Sequence, residues 1–187
     1  MTFSRVFCFI AGIALAAGAP SAWAQSGTIA FNGAVVASSC EVGSSGYASI
    51  ARSLSPHFTV DLPTIGIDAL AARGQTAGWS PFVITLQHCG TSPSLVRTHF
   101  EPGTFVDLAT GRLDLDSHSS AGNVQIALRE LGSTQHILIG APAGAQGTTP
   151  VELETHATLV YEAGYYALGQ ATPGTVHTSV EYNLVYH

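Results

Sequence analysis

Apolar and polar residues alternate along most of this chain. The cleanest run is the last: Val176, Thr178, Val180, Tyr182, Leu184 and Tyr186 take every second position, with His177, Ser179, Glu181 and Asn183 between them. A period of two places the two sets on opposite faces of a β-strand. Residues 27–36 alternate in the same way near the other end of the chain. Between these come shorter runs at 58–62, 82–86, 123–128 and 136–139, and a run at 103–108 that reads as the continuation of a strand begun near Val96. Residues 151–154 and 157–166 precede the terminal strand. Pro102-Gly103, Gly111, Gly122, Gly132, the Gly-rich stretch 140–147 and Pro173-Gly174 separate the runs. The only helical pattern is short, at 67–73, with Gly74 as its stop. Strands punctuated at this spacing predict an all-β sandwich without internal repeat or second domain.

The first residues have a different texture. Arg5 is followed by an apolar stretch at 6–17 and by Ala22-Trp23-Ala24, the layout of a cleaved export signal over residues 1–24. The apolar stretch is too short to span a bilayer, and no later run approaches that length. Cys8 lies inside the stretch and not after a small-residue cleavage box, which argues against a lipid anchor. Cleavage after Ala24 leaves residues 25–187, enough for one domain with an ordinary core.

Export changes the meaning of the cysteines. Beyond the signal only Cys40 and Cys89 remain, and in an oxidising compartment they permit a single intramolecular bridge. It would close a loop of about 50 residues, worth roughly 4 kcal/mol on the chain-entropy account. A zinc site would need histidines at ligand spacing, and only His88 adjoins either cysteine.

All six basic residues are arginine, against twelve acids, and losing Arg5 takes the formal charge from −6 to −7. So few cations assemble no basic patch, so no nucleic-acid partner is expected. The absence of lysine also excludes lysine–asparagine cross-links. The eight histidines are dispersed, without a His-x-His or His-x-x-x-His pair. There is no Gly-x-Ser-x-Gly elbow and no evident carboxylate pair. The residues predict neither an enzyme nor a metal or cofactor site.

Four motifs together carry a family resemblance: Gly-Thr-Ile-x-Phe-x-Gly-x-Val-Val at 27–36, Phe-x-Ile-x-Leu-x-x-Cys at 82–89, x-x-Phe-x-x-Gly at 98–103, and Tyr-Tyr-Ala-x-Gly-x-Ala-Thr-Pro-Gly-x-Val from Tyr165, followed by alternation to the penultimate Tyr186. The chain resembles a subunit of the chaperone–usher fimbriae, similar to the major pilin of type 1 fimbriae. One departure is that only Gln25 and Ser26 precede Gly27, a shorter N-terminal extension than in many members.

The resemblance implies an incomplete immunoglobulin-like sandwich at 37–187, completed by a donor strand from another subunit. The donor would be the N-terminal extension, 25–36, which overlaps the first strand. Ile29, Phe31 and Val35 would enter a neighbour's groove, with Gly33 where no side chain fits. The same segment also suits an ordinary first strand of its own sandwich. The resemblance further implies a chaperone-binding strand formed by Gly174, Val176, Val180, Tyr182, Leu184 and Tyr186; for Tyr182 and Tyr186, core packing fits as well. Expected partners are identical or related pilins joined head to tail, a periplasmic chaperone, an outer-membrane usher and, indirectly, a host-cell receptor. The expected product is a surface fimbria used in adhesion, reached through the periplasm. A minor tip adaptor or adhesin-type module of the same system is the alternative, although the position of the donor motif leaves no room for a separate lectin domain.

Overall fold

In chain order the strands are β1 (Glu41–Gly46), β2 (Thr76–Gln87), β3 (Leu95–Phe100), β4 (Val106–Asp107), β5 (Arg112–Leu113), β6 (Gly122–Glu130), β7 (Val151–Glu152), β8 (His156–Thr172) and β9 (Tyr182–Tyr186). They belong to a computed structural model that describes residues 40–46, 56–90 and 93–187, all within the unit Val36–His187. The export signal at 1–24 and the run at 27–36, with Ile29, Phe31, Gly33 and Val35, lie outside the described residues. One sheet has the order β1-β2-β8-β6-β5-β4 and the other β7-β3-β9. Every pairing is antiparallel.

Alternation explains how the two sheets close on one core. Phe82, Ile84 and Leu86 of β2, Leu159 and Tyr161 of β8, Ile126 and Leu128 of β6, and Val96 and Phe100 of β3 are all buried in a single cluster. Tyr161 spans it, with its ring 5.6 Å from that of Phe82 and 5.4 Å, edge-on, from that of Phe100. These contacts tie the large sheet to the small one through aromatic packing.

Several segments depart from the pattern. Residues 103–108 do not extend β3: Pro102 and Gly103 break the strand, Val106 N–H closes a turn on Gly103 C=O at 3.0 Å, and β4 joins the other sheet. The run 136–139 makes a single bridge, His136 to Arg129, although Ile137 and Ile139 are buried as alternation requires. The helix shrinks to one 3₁₀ turn, Ile67–Leu70, followed by a separate turn in which Gln75 N–H donates to Ala72 C=O at 3.2 Å. Conversely, β8 runs on to Thr172, past Gly164 and Gly169.

β1 has no apolar periodicity. Its ladder with β2, from Glu41 opposite Gln87 to Gly46 opposite Phe82, and the Cys40–Cys89 disulfide hold it in place. Cys89 N–H also donates to Thr155 C=O at 3.0 Å, so the bridge reaches the start of β8.

Candidate functional site

The small sheet has two edges, and they are finished differently. On one side of β3, β7 pairs at Leu95 and Val96. On the other, β3 pairs with β9 from Val96–Tyr186 to Phe100–Tyr182. The hydrogen bonds of this ladder run to odd-numbered residues of the C-terminal segment. Leu95 and His187 exchange bonds of 3.1 and 2.9 Å, and Glu101 N–H donates to Glu181 C=O at 2.9 Å. Farther back, Asp116 N–H donates to His177 C=O at 2.8 Å and Ala121 N–H to Thr175 C=O at 3.1 Å. In an extended chain neighbouring residues turn their backbone groups to opposite sides. The N–H and C=O groups of Val176, Val180, Tyr182, Leu184 and Tyr186 therefore face the other side, where no strand is paired among the described residues.

These same residues turn their side chains inward. Val176, Val180, Tyr182 and Leu184 are half-buried against the core, and so are Phe58, Val60 and Leu62 of an extended segment that belongs to no ladder among the described residues. That segment is held by side chains. The Tyr182 hydroxyl donates to Pro56 C=O at 3.0 Å, the Tyr165 hydroxyl to Pro63 C=O at 3.2 Å and the Ser80 hydroxyl to Asp61 C=O at 3.1 Å. Phe58 lies 6.4 Å from Tyr182 and 5.9 Å from Phe82, ring to ring. Two extended segments, 58–62 and 176–184, thus flank an apolar floor formed by aromatic rings. Burial raises the phenol pKa of Tyr182 and of Tyr186, which keeps both rings uncharged. Tyr186 is 40% exposed at the end of this edge.

The C-terminal residues singled out by the sequence lie along this edge, with one distinct case. Gly174 is exposed, and a Cβ there would strike the backbone at Ser120 and Ala121. Its lack of a side chain lets Thr175 N–H reach the Ser120 hydroxyl at 2.8 Å and fastens the start of the segment to the 114–121 loop. The second rim, 58–62, reads from sequence as an ordinary strand. Its alternation is visible, but its want of a neighbour is not.

A second side-chain array, invisible in the sequence, covers the outer face of the large sheet. A register shift between Ala77 and Ser80 in β2 swings Trp79 across β8, where its ring lies over Gly164. The Arg129 guanidinium stacks on the indole at 3.8 Å and its Nε donates to Glu162 at 2.8 Å. The Arg112 guanidinium stacks on Tyr166 at 3.6 Å, and His136 lies between, 5.7 Å from Trp79 and 5.8 Å from Tyr166. Among the described residues no three His, Cys, Asp or Glu side chains gather as a metal ion would require.

Comparison with known proteins places this architecture. The family model described as "FimA: Type-1 fimbrial protein, A" matches residues 62–187. The F17 fimbrial protein of Escherichia coli is 38% identical over 184 residues, covering 95% of this chain and 97% of its own length. The major fimbrial subunit SMF-1 of Stenotrophomonas maltophilia is 41% identical over 181 residues, 92% of this chain and 99% of its own. The solved structure of the P pilus rod subunit PapA superposes with a TM-score of 0.52 at 21% identity, covering 86% of this chain and all of that one. The fold they share is the immunoglobulin-like sandwich short of one strand.

Proposed function

The chain belongs to the type-1 fimbrial protein A family, and from that premise we propose that it polymerises head to tail by lending residues 25–36 to the groove of a neighbouring copy. It is a structural subunit of a surface fimbria and associates with other pilin subunits. The observation that carries the finer reading is the edge of β9. There, half-buried apolar side chains and outward-facing backbone groups share the same residues, with no strand beside them among those described. Strand addition satisfies both needs at once, and donor-strand complementation in pilins is an established instance of it. Each large apolar side chain fully buried contributes roughly 1.5–3 kcal/mol, while each buried backbone group left without a partner costs about 1–3 kcal/mol.

Ile29, Phe31 and Val35 supply apolar residues at the right period, and Gly33 supplies a gap. Donor and acceptor are different surfaces, so the contact propagates as a filament and does not close on itself. Before assembly the open edge invites aggregation. A periplasmic chaperone occupying the groove until the usher delivers the next subunit fits that need, and Tyr186 offers an exposed aromatic at the end of the edge. Export follows from the signal at 1–24. A shaft role accords with the likeness to a subunit named as major.

The test is Phe31→Asp. A carboxylate entering a neighbour's apolar groove must be desolvated or protonated, so the variant should fold, accumulate with its chaperone and fail to polymerise. Electron microscopy of the cell surface and a periplasmic pull-down read the two halves. Unfolding of the isolated Phe31→Asp subunit would instead assign residues 25–36 to the subunit's own sandwich.

A further inference from the structure

The far edge of the small sheet is also a strand edge, yet beyond β7 it is closed chiefly by side chains, with one backbone bond beside them, from Gly140 N–H to Phe100 C=O at 3.2 Å. β7 covers only two residues of β3, Leu95 and Val96. Thr98 and Phe100, which direct their backbone groups to the same side as Val96, lie beyond it. Gln146 meets Phe100 as a peptide group would. Phe100 N–H donates to Gln146 Oε1 at 2.9 Å, and Gln146 Nε2 donates to Phe100 C=O at 2.6 Å and to Ala141 C=O at 3.0 Å. Two residues on, the Thr148 hydroxyl donates to Thr98 C=O at 2.9 Å.

Both side chains are buried, Gln146 at 1% exposure and Thr148 at 6%. A polar side chain so deeply buried is tolerated only when its hydrogen bonds are made, and here they are made to strand backbone. Gly144 and Gly147 bracket Gln146 at φ of +84° and +87°, a left-handed backbone that glycine adopts without strain and that turns the intervening amide inward. Leu138 N–H bonds to Gln146 C=O at 2.9 Å, and the Thr149 hydroxyl to Glu130 at 3.0 Å, which fixes the loop on either side of the two side chains.

We infer that Gln146, with Thr148, is a specificity device for assembly: the pair occupies the backbone of β3 so that the small sheet accepts a strand along β9 alone. A sheet with two receptive edges would take donors on both and branch, whereas one with a single receptive edge grows as an unbranched fibre. Natural sheets commonly block unwanted edges, and here two side chains do so where β7 is too short. The inference rests on the strand-acceptor reading proposed above.

The test refolds the full-length chain with excess synthetic peptide of residues 25–37 and counts bound peptides by native mass spectrometry. The wild-type chain should carry one peptide. Gln146→Met, which keeps length but removes the amide, should carry a second, and Thr148→Val, which frees Thr98 C=O, should show the second adduct at lower occupancy. No adduct on the wild-type chain defeats the strand-acceptor reading itself. One adduct on the wild type and still one on both folded variants overturns only this inference. Failure of both variants to refold gives the two side chains a purely structural role and overturns it equally.

Discussion

At the scale of single residues, the outer array on the large sheet is where pH acts. His136 is half-buried between Trp79 and Tyr166, with Arg112 and Arg129 stacked on those rings and Glu162 pairing with Arg129. Burial, and then the two guanidinium groups, hold the imidazole below its ordinary 6.5. The folded state therefore favours the neutral ring. Its contribution to stability is complete above pH 6.5 and is lost as the pH falls from there toward the lowered folded value. His136→Gln should flatten the decline in melting temperature between about pH 7 and about pH 5, and Trp79 fluorescence in the wild-type protein should change over the same interval. An identical acid decline in both proteins would assign it to groups other than His136. None of this array is legible in the sequence. Trp79, His136 and Tyr166 are far apart in the chain and meet only because β2, β6 and β8 are neighbours.

At the scale of elements, the strands that alternate over a buried face are the ones legible in the sequence. β2, β6, β8 and the C-terminal segment have one face on the core, and period two marks them. β1 and β5 are not legible, because their positions come from partners: the disulfide and β2 for β1, the hairpin at Asp107–Arg112 for β5, while β7 falls inside the run at 151–154 and β4 inside the run at 103–108 that reads as a continuation of β3. The groove is legible by halves. The residues of both rims alternate, but period two says nothing about whether a strand has a neighbour, and the run at 27–36, proposed as the donor, lies outside the described residues. Gln146 shows another limit: a buried polar residue in a Gly-, Ala- and Pro-rich loop looks like surface, and the only hint is its bracketing glycines. The β2 irregularity makes an element-scale prediction. A Cβ at Gly164 would lie 2.6 Å from Cδ2 and Cε3 of Trp79, too close to be absorbed by a rigid ring held under Arg129. Gly164→Ala should therefore destabilise the subunit by about 1–3 kcal/mol, as overpacking does. In a Trp79→Ala background the same change should cost far less, so that a double-mutant cycle by chemical denaturation returns a coupling above about 0.5 kcal/mol. Additive effects would mean that the indole moves aside freely.

At the scale of the whole molecule, the disulfide decides how force crosses a subunit. In the proposed filament each copy is pulled at its N-terminal segment by the neighbour that holds it, and held in turn along its own groove. The pull enters the described domain at Cys40. With the bridge intact it passes directly to Cys89, which is hydrogen-bonded to Thr155 at the start of β8, so the load bypasses β1 and the loop behind it. With the bridge reduced, the same pull acts first on the β1–β2 ladder and peels it pair by pair from Glu41 toward Gly46. Antiparallel strands drawn apart from one end lose their bonds in sequence and resist little, whereas a covalent link must be broken or bypassed. The bridge joins cysteines 49 positions apart in sequence, a stretch that extends by at most about 170 Å at about 3.3–3.6 Å per residue. Single fimbriae stretched between a surface and a probe after assembly should then show subunit extension steps longer by up to about that length in reductant than in its absence. The longer steps should begin at lower force. Equal steps under both conditions would show that the load enters elsewhere than Cys40, which is incompatible with residues 25–36 serving as the link between subunits.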